Sequence, residues 1–68
     1  MTNDLHVLVV NAVAHFTNPV PKRAIIQRLR ELGHEPDSYL VWREMQVARK
    51  MGSIRSIGRT RATKWVLN

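Results

Sequence analysis

Apolar residues recur at helical spacing through the first three-quarters of the chain, and the period changes near its end. Leu5, Leu8, Val9, Ala12 and Phe16 fall on one stripe and predict a first helix with a core-facing side. Thr2 or Asn3 suits its N-cap, and Asp4 its opening turn, where a carboxylate faces the positive end of the helix dipole. Val7, Val10 and Ala14 form a second apolar stripe roughly opposite the first. A surface helix of a monomer carries polar residues there. The helix is therefore expected to be sandwiched or to meet another subunit, with Val7, Val10 and Ala14 as the candidate dimer surface. Thr17-Asn18-Pro19-Val20 ends the helix, because Pro19 drives Asn18 into an extended conformation.

Pro21 fits the first position of a second helix, where its missing N–H costs nothing. Ile25, Leu29 and Leu32 are spaced for one buried face with Ile26 at its edge, and Lys22, Arg23, Gln27 and Arg30 lie outside it. Gly33 is the expected stop, and His34-Glu35-Pro36 the connection. Asp37 can cap a third helix beginning at Ser38. Its inward residues are expected to be Val41, Met45 and Ala48, flanked by Leu40, Val47 and Met51, with Gly52 closing it. Beyond Gly52 the β-branched and aromatic residues predict strands over 53–57 and 62–67, joined through Gly58-Arg59-Thr60-Arg61. Trp65 and Leu67 share one strand face and are expected to pack back on the helices. The fold class predicted is α+β, mainly α: one domain over 1–68, with three helices and a C-terminal two-stranded hairpin.

Composition narrows the function classes. With 68 residues, 44% of them hydrophobic, the chain is neither a disordered tail nor a membrane protein. A chain this short buries only about 60% of its unfolded surface, and it has no cysteine to add a disulfide. Well-packed helices or a partner subunit must supply the stability. The start lacks the positive charge of a signal peptide, and His6, Asn11 and His15 interrupt its apolar run. A soluble cytoplasmic protein is expected, at the nucleoid in a bacterium or archaeon, or in the host cytoplasm if viral. His6 and His15 fall on opposite sides of their helix and His34 lies in a connection, so no metal site is expected. No nucleophile, base and orienting acid assemble, and no phosphate-cradling glycine loop is present. The expectation is a non-enzyme with no cofactor and no small-molecule ligand.

Charge changes the picture most. The formal net charge of +6 divides into −1 over residues 1–20, +2 over 21–36, +1 over 37–52 and +4 over 53–68. The last block holds Arg55, Arg59, Arg61 and Lys64 with no acid, which points to a polyanionic partner. At 100° per residue, Tyr39, Trp42, Arg43, Gln46 and Lys50 project away from the Val41/Met45/Ala48 face.

The segment Val41…Met45…Ala48…Gly52-Ser53-Ile54, followed by Gly58-Arg59 and Trp65-Val66-Leu67, resembles the winged helix-turn-helix superfamily. Members have apolar residues at the first, fifth and eighth positions of this run and a helix-ending glycine at the twelfth. An apolar residue opens the first strand, a Gly/Arg-rich wing follows, and an aromatic-x-apolar strand ends the domain. Every slot is filled over essentially the whole chain, although Ala48 is smaller than the usual Leu. Winged domains that bind left-handed duplexes also carry a Trp near the end. They have Asn and Tyr where this chain has Trp42 and Gln46.

The resemblance implies binding of double-stranded DNA, with the third helix in the major groove and the wing along the backbone or minor groove. Arg43 would then suit guanine and Gln46 adenine. Ser38 and Tyr39 would reach phosphate or a thymine methyl, and Trp42 and Lys50 would complete the helix contacts. Lys22 and Arg23 would hold phosphates. Arg55 and Lys64 would add charge along the wing, and Arg59 and Arg61 at its tip would suit a narrow minor groove. The function expected is a small sequence-specific regulator, a repressor or accessory factor of the kind found in viruses and mobile elements, acting as a homodimer. The alternative is a winged module that docks on the transcription machinery, a nucleoid protein or a host factor. RNA or nonspecific duplex binding is a third reading.

Overall fold

The computed structural model describes residues 4–58 and 63–68. Three helices, α1 (Asp4–His15), α2 (Lys22–Glu31) and α3 (Ser38–Met51), precede strands β1 (Ile54–Ile57) and β2 (Lys64–Leu67). The strands pair antiparallel in the register Ile54↔Leu67, Arg55↔Val66, Ser56↔Trp65 and Ile57↔Lys64. This is the mainly helical, three-helix-plus-hairpin layout that the periodicity predicts. The Thr2 and Asn3 caps lie outside the described residues, as do Arg59 and Arg61. No helix of the described residues is long and apolar enough to cross a membrane.

One core serves every element. Val9, Ala12 and Val13 of α1 meet Ile25 and Leu29 of α2, Val41, Met45 and Ala48 of α3, Ile54 of β1 and Trp65 of β2. The predicted faces of α2 and α3 are buried at Ile25 and Leu29 and at Val41, Met45 and Ala48. On α1 the buried set is shifted: Val13, one turn beyond Val9, is fully enclosed, whereas Leu5, Leu8 and Phe16 are only partly covered. Val10 belongs less to the outward stripe than expected, since it packs partly on the core, while Val7 and Ala14 are exposed.

Two further expectations are corrected. Leu32 is half exposed, because the chain leaves the helix there, at φ −85° and ψ 4°, and carries the side chain past the core. Leu67 shares the face of Trp65 but remains nearly half exposed, at the open end of the hairpin. The second strand also begins at Lys64, and the first at Ile54, each later than predicted.

The connections explain how the hairpin is held. Val20, between Pro19 and Pro21, bonds the free edge of β2: its N–H donates to the Trp65 carbonyl at 3.0 Å, and the Trp65 N–H returns to Val20 at 2.7 Å. Gly52 ends α3 at φ 85°, where only glycine is unstrained. That turn lets the Ser53 N–H reach back to the Ala48 carbonyl at 3.0 Å. Asn68 then ties the strand end to the same corner, its side-chain amide donating to the Gly52 carbonyl at 2.8 Å and its backbone N–H to Ser53 at 3.1 Å.

Candidate nucleic-acid interface

The site is built from three sequence features. The first is the start of α2. Pro21 is extended (φ −73°, ψ 162°), supplies no side-chain cap, and is followed by Lys22 and Arg23 with no acid in the first turn. Two cations therefore stand at a helix end that already favours anions. The second is the start of α3, where Asp37 Oδ1 accepts from the N–H groups of Tyr39 at 2.9 Å and Leu40 at 3.1 Å. This cap fixes the first turn of α3 and with it the outward direction of Ser38, Tyr39 and Trp42. The third is strand alternation, which turns Ser56 and Trp65 to one face of the hairpin and Arg55, Ile57, Lys64 and Val66 to the other.

These elements enclose an open groove of about 510 Å³ lined by Pro21, Lys22, Arg23, Trp42, Gln46, Arg49, Ser56, Gly58, Thr63 and Trp65. Lys22, Arg23 and Arg49 supply three positive charges, and among the described residues none is paired with a carboxylate. Arg49 donates from Nη2 to Gln46 Oε1 at 3.0 Å. That contact fixes the orientation of the Gln46 amide and leaves its NH₂ group free to donate. Tyr39 stacks on Trp42, with ring centroids 6.1 Å apart and planes 30° from parallel, and both rings are exposed. Trp42 thus serves as a half-buried wall of the groove and as a platform beside it.

Of the residues singled out from the sequence, the fold brings Lys22, Arg23, Trp42 and Gln46 together. Tyr39 joins them through Trp42. Arg43 and Lys50 stand exposed on the outer ridge of α3, about 60–100° of helix rotation from Trp42 and Gln46 for Arg43 and 40–80° for Lys50. Ser38 lines a neighbouring groove of about 660 Å³ with Arg23, Ala24, Ile26, Gln27, Arg30 and Pro36, so Arg23 stands on the wall between the two. Arg55 and Lys64 are not in the main groove, because they lie on the opposite hairpin face from Ser56 and Trp65.

Arg49, on the flank of α3, is the contributor that the sequence reading does not include in the site. It lies seven residues from Trp42 and three from Gln46, a spacing that places all three on one side of α3. Ser56 and Thr63 add hydroxyls to the groove and carry no signal in the sequence. Glu44, whose position towards the core arc predicts a structural pairing, meets His6 Nδ1 across the α1–α3 seam at 3.3 Å. Among the described residues no group of three or more His, Cys, Asp or Glu is placed to hold a metal ion. Comparisons with protein-family models, with curated proteins and with solved structures return no match.

Proposed function

We propose that the chain is a small winged helix-turn-helix regulator that binds duplex DNA, using the ridge and groove flank of α3 for bases and the α2 start and hairpin for the backbone. The observation that carries this reading is the groove in which Lys22, Arg23 and Arg49 stand around Gln46 with no carboxylate partner among the described residues. Phosphates satisfy the cations without conveying sequence. Arg43 on the ridge presents a two-pronged donor suited to guanine, and Gln46, oriented by Arg49, presents an amide suited to adenine. Arg55 and Lys64 on the outer hairpin face add positive charge beside the groove, and the minor-groove role of Arg59 and Arg61 rests on the winged-helix resemblance. Each good bidentate contact discriminates by about 1–3 kcal/mol, so useful specificity calls for two copies on adjoining half-sites.

The deciding experiment is selection from a random duplex library at near-physiological salt. Enrichment of a defined motif supports the regulator reading, and negligible duplex affinity even at low salt removes it. The second reading, a module that docks on a protein of the transcription machinery, is favoured by the exposed Tyr39–Trp42 stack, since exposed aromatic pairs make anchors for protein partners. Replacing both rings by Ala separates the two. Loss of partner capture with duplex affinity unchanged assigns the stack to a protein.

A further inference from the structure

We infer, resting on the duplex-binding reading, that the basic groove is one end of a cleft for an unpaired strand, and that the DNA this chain favours is a duplex carrying a single-stranded segment. Arg23 lines both the main groove and the neighbouring one, so the two adjoin. α3 gives them a common wall: Ser38 lines one, and Trp42, Gln46 and Arg49 the other. All four fall within about 80° of helix rotation. From Ser38 to Arg49 this wall runs about 16 Å along the helix axis, room for a few nucleotides. Across from it, α2 supplies Lys22, Arg23 and Arg30.

The cleft is positive along its length. None of Lys22, Arg23, Arg30 and Arg49 meets a carboxylate among the described residues, and no Asp or Glu lines either groove. Gln46 adds a donor, because Arg49 occupies its carbonyl oxygen and leaves the NH₂ group to face a base edge.

Charge alone suits any phosphate backbone, and the aromatic residues narrow the choice. Trp42, 45% exposed, is a wall of the groove. Tyr39, 64% exposed, stacks on it. In an uninterrupted duplex each base covers the faces of its neighbours, and only edges and methyl groups are open to a side chain. An indole gains little there. An unpaired base offers its whole face to the ring and brings its phosphates to the flanking cations. A charged groove that tracks the backbone and an aromatic platform for the bases are the two parts that single-strand binding combines.

Anisotropy titrations of the intact chain test this with one duplex in three forms: blunt, with a tail of about six thymidines, and with an abasic tail of the same length. The abasic tail keeps the phosphates and removes the base faces. The thymidine tail should tighten binding about tenfold over the blunt duplex, and the abasic tail should recover only a small part of that gain. The thymidine tail should also quench tryptophan emission, and since Trp65 is buried the change reports Trp42. Tyr39→Ala with Trp42→Ala should bring the two tailed forms to equal affinity. Trp42→Phe keeps an aromatic face, so it should retain most of the gain while losing the quenching. Arg30→Ala should lower the salt slope on the thymidine-tailed duplex by about 0.7, one single-strand phosphate's worth. All three positions are exposed, and circular dichroism melts check that the variants fold. Equal affinity for the blunt and thymidine-tailed forms overturns the inference, leaves the regulator reading standing and returns the aromatic stack to a protein partner. A gain that the abasic tail reproduces, or that survives loss of both rings, overturns it as well, because charge then accounts for the whole effect. Binding of the thymidine-tailed form without measurable affinity for the blunt one supports the inference and removes the regulator reading. Absence of binding to every form removes both.

Discussion

Arg49 links charge to orientation within one guanidinium. Its bond to Gln46 Oε1 fixes the amide, and its position in the groove places it among the cations Lys22 and Arg23. Arg49→Ala should lower the slope of log affinity against log salt by about 0.9, one phosphate's worth. It should also loosen base preference at the position opposite Gln46. Arg49→Lys should restore the slope without the preference, because an ammonium lacks the planar fork that can hold an amide and a phosphate together. Anisotropy titrations of each variant over a salt series, on cognate and single-base-changed duplexes, measure both effects. An equal response of Arg49→Ala and Arg49→Lys would show that charge alone matters. At the other end of the same helix, Asp37 accepts two backbone N–H bonds. Asp37→Ala should cost about 1 kcal/mol in urea unfolding, and Asp37→Asn only a fraction of that. The Ala variant should also weaken binding through a frayed first turn at Ser38 and Tyr39.

At the scale of elements, the α3–β1 corner determines how the hairpin sits against the helices. A Cβ built at Gly52 would meet nothing nearer than the Asn68 amide nitrogen, at 3.9 Å, so space is not the constraint. Its φ of 85° is. Gly52→Ala should therefore destabilise by about 1 kcal/mol through backbone strain, read as a shift in urea midpoint at constant m-value. The elements best read from sequence are α2 and α3, where Ile25/Leu29 and Val41/Met45/Ala48 alternate with charged residues and give the buried face directly. α1 is harder, because apolar side chains surround most of its circumference; Val13 fits a core stripe as well as Phe16 does, and only packing selects between them. The Val20 bridge to Trp65 is a single residue between two prolines, too short to leave a periodic signal. Lys64 and Arg55 show a different failure. Strand parity with Trp65 already turns Lys64 outward, and pairing with Val66 turns Arg55 the same way, but the count of positive charge over 53–68 carries no direction. The groove itself joins residues from four elements, so only the fold reveals that Arg49 belongs with Lys22.

For the whole molecule, the placement of charge sets what a bound state must look like. Positive charge is spread over α2, α3 and the hairpin, and the α1 segment has none. Joining two copies through the outward stripe of α1, at Val7 and Ala14, would bring together the surfaces with least repulsion and leave both basic grooves open. Two grooves related by a two-fold axis require a target with the same symmetry, its half-sites about one helical turn, or a multiple of it, apart. Selection from a random duplex library with the wild-type chain should therefore enrich an inverted repeat of fixed spacing. The same selection with Val7→Glu should enrich a single half-site, weakly. Salt dependence adds an independent measure, because a dimer engages twice the phosphates of one copy. The wild-type slope on the inverted repeat should be about double that of Val7→Glu on a half-site. Arg59→Ala with Arg61→Ala should reduce the slope by about two phosphate equivalents per copy, and so by about four on the inverted repeat. Equal slopes for wild type and Val7→Glu on the same duplex would mean that one copy binds at a time, without pairing through α1.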